Sequence, residues 1–150
     1  FFFQAEDGIL DSSTSRGLGD VYKRQMPSNG RLTNATYIPG DLFSVNPKTV
    51  SEIPGLYAKN ERLVFNFRTD QGNMIIVMVG AAIVAGIKPF WREAAFEPRI
   101  YKKEEVNFCL KKGDEIGLFE MGSTVILLLS NRFEFNLKKN DRVFFGQSIS

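Results

Sequence analysis

Serine, lysine, carboxylates and one thiol are the side chains with which this chain could do chemistry, because its 150 residues include no histidine. A Ser–His or Cys–His nucleophile pair is therefore excluded, as is the usual His-containing zinc site. The single cysteine, Cys109, rules out an internal disulfide framework and a cysteine-cluster metal site. It is expected as a small apolar residue in a strand, and no metal site is expected. Asp41, Asp70 and Asp114 are available carboxylates, by default turn residues. The serine that stands out is Ser123, because Gly122-Ser123 separates two apolar runs at 116–120 and 124–129. Taken alone, such a pair is a turn or a bulge.

The elements that must position these residues are short. Strands are expected at 31–38, 63–67, 74–79, 82–87, 116–120, 124–129, 133–135 and 143–145, with a kink or bulge at Gly80. Residues 70–73, Asp-Gln-Gly-Asn, turn one strand into the next, and 41–55, with Pro47 and Pro54, reads as an extended loop. The longest apolar run, 74–87, falls short of the roughly 20 residues of a spanning helix. No window offers an amphipathic helix of three turns. The fold class expected is mainly β: a single domain, a sandwich or barrel of short strands with few or no long helices. A hydrophobic share of 43% and a formal charge of +2 suit a globular domain and give no argument for nucleic acid.

Residues 1–25 have a different texture. Their apolar residues follow neither helical nor strand periodicity, and Gly8, Gly17 and Gly19 interrupt both. The string Asp7-Gly8-Ile9, followed by Ser15-Arg16-Gly17-Leu18-Gly19-Asp20-Val21-Tyr22-Lys23-Arg24-Gln25, resembles a translated sequencing-adapter artefact. The alternative is a disordered tail. Either reading sets 1–25 apart from a domain at 26–150, which carries 16 basic and 13 acidic residues.

An echo runs through the last forty residues or so: Leu110-Lys111-Lys112-Gly113-Asp114 is answered by Leu137-Lys138-Lys139-Asn140-Asp141. Each is a turn entering a strand, since Gly and Asn both tolerate positive φ. The echo resembles the quasi-symmetry of lipoyl and biotin carrier barrels; two ordinary turns of similar chemistry explain it equally well.

The stretch 112–127 resembles the cleavage region of bacterial phosphatidylserine decarboxylases, whose signature is Gly-Ser-Thr after an apolar residue, here Met121 where Leu is more usual. Three upstream segments are similar to the same family: Tyr37-Ile38-Pro39-Gly40-Asp41-Leu42-Phe43-Ser44-Val45-Asn46, Leu56-Tyr57-Ala58-Lys59-Asn60-Glu61-Arg62 and Val79-Gly80-Ala81-Ala82-Ile83-Val84. The resemblance covers about 26–150, the C-terminal part of the catalytic domain.

That resemblance implies a pyruvoyl-dependent lyase made as a zymogen. Ser123 Oγ attacks the carbonyl of Gly122, and β-elimination breaks the chain autocatalytically. Residue 123 becomes a pyruvoyl group that forms a Schiff base with the substrate amine. Phosphatidylserine is then decarboxylated to phosphatidylethanolamine, a step of phospholipid biosynthesis. The resemblance also implies a homodimer of cleaved α and β chains, peripheral on the cytoplasmic face of the bacterial inner membrane. Phe90, Trp91 and Phe96 are candidates for lipid contact. In the family an upstream Asp and His assist the serine. This chain has no His, so it is expected to be a truncated form that stays uncleaved and inactive as written. A non-catalytic carrier-like barrel and a natural His-less pseudoenzyme remain alternatives.

Overall fold

The computed structural model describes residues 2–4, 22–81, 86–119 and 124–130. Among them are nine strands and two short helices: β1 (Phe2–Gln4), β2 (Tyr22–Gln25), β3 (Gly30–Ile38), α1 (Pro47–Glu52), α2 (Leu56–Lys59), β4 (Arg62–Thr69), β5 (Gly72–Val79), β6 (Ile87–Pro89), β7 (Lys102–Leu110), β8 (Glu115–Phe119) and β9 (Thr124–Leu129). Every pairing between strands is antiparallel. One sheet has the order β1-β9-β5-β4-β3-β7 and a smaller one β2-β8-β6. The mainly β class expected from the sequence is what the chain adopts.

Alternation explains which face is buried. Leu63, Phe65 and Phe67 on β4, and Met74, Ile76 and Met78 on β5, point into the core, while the residues between them are more exposed. On β3 the phase slips: Leu32 is buried, but the next buried residue is Ala35, followed by Tyr37. A bulge between Leu32 and Asn34 absorbs the extra residue, and Thr33 Oγ1 donates to the Asn66 carbonyl there at 3.0 Å. Ile87, Ile116 and Phe119 of the small sheet join the same buried cluster, so the two sheets share one core. Losing an aromatic such as Phe65 from it would cost about 3–5 kcal/mol.

Several expectations change in detail. The segment 41–55 is not wholly extended, since it holds α1. Pro47 opens that helix and the Asn46 side chain caps it, accepting from Thr49 N at 2.8 Å. Proline at the first helical turn favours a helix start, so its presence did not signal only a loop. The nine-residue β7 was not expected at all. Cys109 lies on it, in a strand as expected but exposed rather than packed. Gly80 follows β5 without a bulge in the β4–β5 register. The expectation for 82–87 falls mostly outside the described residues; β6 starts at its last position.

Residues 1–25 were set apart from the domain, yet two short parts of them pair: Phe2–Gln4 with β9 and Tyr22–Gln25 with β8. Both lie at sheet edges, where unpaired backbone groups accept a strand whatever its side-chain pattern. The first Lys-Lys-Gly-Asp turn is present. Gly113 has φ 91 and donates from its N–H to the Met26 carbonyl at 2.9 Å, and the Asp114 carboxylate accepts from Lys111 N at 2.7 Å. The answering turn, and the strands expected at 133–135 and 143–145, lie outside the described residues. No helix among the described residues is long and apolar enough to cross a membrane.

Candidate functional site

Four strands begin or finish together at one end of the large sheet. Their register puts Ile38, Arg62, Val79 and Thr124 in one row across β3, β4, β5 and β9. Residues 120–123 connect Phe119, at the end of β8 in the small sheet, to Thr124 at the start of β9 in the large one. Gly122 and Ser123 therefore lie outside the described residues, and what is fixed is where the chain enters and leaves their segment.

The polar residues at this end are unusual in being buried. Among the described residues the buried polar or charged ones are Asn60, Glu61 and Thr124, and all three lie within two residues of that row. Burying such groups is unfavourable unless they are partnered or used. Asn60 is fully partnered. Its Nδ2 donates to the carbonyls of Phe43 and Gly80, each at 2.8 Å, and its Oδ1 accepts from Phe43 N at 3.0 Å. The Thr124 hydroxyl, in contrast, has no partner among the described residues.

Glu61 faces Tyr37. Burial holds the Glu61 carboxyl above the usual carboxylate range, and the Tyr37 hydroxyl partly offsets this. Burial first and the Glu61 carboxyl second push the Tyr37 phenol far above its ordinary value, with the backbone at Arg99 pulling slightly the other way. The Tyr37 hydroxyl makes no hydrogen bond of ordinary length among the described residues, so the pair interacts through a near contact of two desolvated groups. Tyr37 also stacks on Phe96, with ring centroids 5.0 Å apart.

Backbone contact brings the loop after β3 to the same place. Asp41 N donates to the Lys59 carbonyl at 2.9 Å, and Glu61 N donates to the Asp41 carbonyl at 2.8 Å. Gly40 makes this crossing possible, because a Cβ there would lie 2.2 Å from the Lys59 carbonyl oxygen.

Of the residues singled out by sequence, Asp41 reaches this end, through its backbone. Asp70 sits in the turn between β4 and β5, and Asp114 in the turn before β8, both away from it. Phe96 is packed rather than displayed, and Phe90 and Trp91 are half-buried. Phe96 is buried under Tyr37 and Arg92, and Phe90 meets Trp91 and Phe108 edge-on while Trp91 and Phe108 pack at a tilt. Asn60, Glu61, Tyr37 and Thr124 were not anticipated as a cluster. A signal existed for Glu61, which falls in the same alternating phase as the apolar Leu63, Phe65 and Phe67.

The class the fold defines is a mainly β domain of two antiparallel sheets sharing one core, with Asn60, Glu61 and Thr124 buried at the end where β9 begins. Residues 17–150 match the family model of phosphatidylserine decarboxylase, and the chain belongs to that family. The match begins inside the stretch set apart on sequence grounds. Similar proteins are the phosphatidylserine decarboxylase proenzymes of Francisella philomiragia, 39% identical over 87% of this chain and 50% of that protein, of Nitrosospira multiformis, 40% identical over 78% and 44%, and of Shewanella sediminis, 44% identical over 74% and 42%. The chain spans about half the length of the relatives it matches, or less.

Proposed function

We propose that this chain is the pyruvoyl-forming part of a phosphatidylserine decarboxylase, with self-cleavage between Gly122 and Ser123. The observation that carries the reading is convergence. Residues 37–46, 56–62 and 79–81, far apart in sequence, meet through Gly40, Asn60 and Gly80 beside the start of β9. Attack by Ser123 Oγ on the Gly122 carbonyl carbon turns the amide into an ester. Loss of a proton from the residue 123 Cα and breakage of its Cβ–O bond then leave Gly122 as a carboxylate. The dehydroalanine left at 123 takes up water and releases ammonia to become the pyruvoyl.

The unpartnered Thr124 hydroxyl directly follows that position and suits a site where a carbonyl must be held. Once formed, the pyruvoyl group supplies an electron sink for the electrons released as CO₂ leaves. The protein contributes a fixed backbone frame, through Asn60 and the Asp41–Glu61 crossing, and low-polarity surroundings that keep Glu61 uncharged over a wider pH range. Its substrate resides in a bilayer, so the chain works at a membrane surface, in the bacterial setting on the cytoplasmic face.

The sequence holds no histidine to assist Ser123, and the chain as written stays a single uncleaved species. A chimaera joining the upstream part of the Nitrosospira multiformis protein to residues 26–150 tests the reading. Intact mass should show two fragments, the second beginning with a pyruvoyl at 123, and phosphatidylserine vesicles should yield phosphatidylethanolamine. Ser123→Ala should abolish both. A folded chimaera that neither cleaves nor releases CO₂ favours the pseudoenzyme instead.

A further inference from the structure

Among the described residues Glu61 is the one buried carboxyl, 8% exposed, and none of their salt bridges includes it. Burying an acid costs stability unless the group is partnered or used. Leu63 of β4, Met78 of β5 and Val125 of β9 form one row across the large sheet and pack on the core. Glu61 stands two residues before Leu63, Gly80 two after Met78, and Ser123 two before Val125. Two is the period of a strand, so Glu61 faces the side that Leu63 faces. Gly80 N donates to the Glu61 carbonyl at 2.8 Å, which carries the β4–β5 pairing one step past Arg62 and Val79. Gly80 brings no side chain of its own, and a Cβ there would come within 3.7 Å of the Glu61 Cβ. Tyr37, on β3, is the titratable group set against the carboxyl. Arg62 is drawn away, its guanidinium donating to the Asn60 carbonyl at 3.0 Å, and Asp41 meets Glu61 through its backbone. Glu61 therefore keeps its proton beyond the range in which exposed carboxyls lose theirs.

We infer that Glu61 is the general acid of the self-cleavage, donating a proton to the nitrogen of residue 123 as that nitrogen leaves the Gly122 carbonyl carbon. The inference continues the row Leu63–Met78–Val125 by one period, to Glu61, Gly80 and Ser123, and it rests on the decarboxylase reading. As the Oγ–C bond forms and the C–N bond breaks, a base supplied by the upstream half takes the Oγ proton. Glu61 supplies the proton that turns the departing nitrogen into an amine, and its carboxylate regains a proton from water. Donation to a leaving nitrogen suits a carboxyl that is still protonated near the working pH. Tyr37 is a positioning residue here: stacked on Phe96 with ring centroids 5.0 Å apart, it keeps its hydroxyl beside the carboxyl.

The test uses the cleaving chimaera, with fragment formation followed by intact mass from about pH 5 to 9. Cleavage of the parent should slow as pH rises and Glu61 ionises. Glu61→Gln keeps the shape without an acidic proton. It should cleave about a hundredfold more slowly and lose the alkaline decline. Glu61→Asp keeps an acid on a shorter stem and should restore part of the rate together with the decline. Urea unfolding shows whether each variant folds, and the Asp variant carries the test if the Gln variant does not. Cleavage of Glu61→Gln at the parent's rate overturns the inference. So does a slower rate with the parent's pH profile, which would assign Glu61 a structural role. On the full uncleaved chain, the infrared band of a protonated carboxyl should persist to higher pH than those of the exposed acids and vanish in Glu61→Gln; its absence also overturns the inference. A parent chimaera that folds without cleaving strikes the decarboxylase reading itself, whereas variants that cleave like a cleaving parent leave that reading standing.

Discussion

The side-chain amide of Asn60 donates to the carbonyl oxygen of Gly80 at 2.8 Å, tying the end of α2 to the end of β5 inside the protein. The same amide serves both backbone groups of Phe43, so three main-chain groups depend on one side chain. Asn60→Ala should leave them unpaired and destabilise the fold by about 2–4 kcal/mol. Asn60→Leu should cost at least as much, since it fills space without replacing a bond. Urea unfolding of the variants beside the parent chain checks this, and a loss under about 1 kcal/mol would refute it.

Gly40 and Gly80 should respond very differently to alanine. At Gly40 the new methyl would meet backbone at Lys59, Asn60 and Glu61, at 2.2, 2.6 and 2.7 Å, and backbone cannot step aside. The crossing of Asp41 over Lys59–Glu61 would have to open, at about 3 kcal/mol or more. At Gly80 the nearest atoms lie 3.4 Å away, ordinary contact, and the cost should stay below about 1 kcal/mol. Comparing the two midpoints of unfolding tests the contrast.

Glu61 should make stability fall as pH rises. Its folded pKa is raised by burial, so both states are protonated well below the ordinary glutamate value of about 4.3 and no penalty applies. Above that value the unfolded chain ionises first, and stability declines until the folded carboxyl also ionises. Glu61→Gln keeps the shape and removes the titration. It should be more stable than the parent at pH 8 than at pH 5, relative to the parent at each pH. A constant difference between the two would contradict the assignment. The Tyr37 phenol, raised as well, should add a further decline only in the alkaline range.

Thr124 separates stability from chemistry. A buried hydroxyl without a partner costs about 1–3 kcal/mol of desolvation, and an apolar group of the same shape avoids it. Thr124→Val should therefore be neutral or stabilising in urea unfolding of the full chain. In the cleaving chimaera the same substitution should slow fragment formation by tenfold or more, a loss equivalent to about 1.4 kcal/mol. Unchanged cleavage would show that the hydroxyl has no part in it.

How legible this was in the sequence depends on range. Alternation marked β4 and β5, and the turn at 70–73, because those signals are local and apolar residues dominate their buried faces. β7 escaped because its exposed positions carry lysine, glutamate and asparagine at a sheet edge, where one side needs no partner. α1 escaped because proline was read as a breaker when at the first turn it is a starter. Gly122-Ser123 stood out by resemblance, whereas Asn60, Glu61 and Thr124 become a group only when four strands are laid side by side. No window of the sequence contains all three. The aromatics at 90, 91 and 96 drew attention as lipid contacts because they cluster in a proline-flanked segment; Phe96 is instead buried against Tyr37 and Arg92, while Phe90 and Trp91 are half-buried against Phe108.

The jump from β8 to β9 changes sheets, and β9 then pairs with β5 over six residues. A cut within that jump would separate the protein into two pieces joined only by hydrogen bonds and shared core, including Leu127 from the shorter piece and Phe65 from the longer. Folding before the cut is a first-order event with the partner strand always at hand. After it, refolding requires two molecules to find each other, so thermal stability would depend on concentration. A matured protein of this design would withstand mild heating yet recover poorly once unfolded and diluted, because the connection that guided β9 into place is spent.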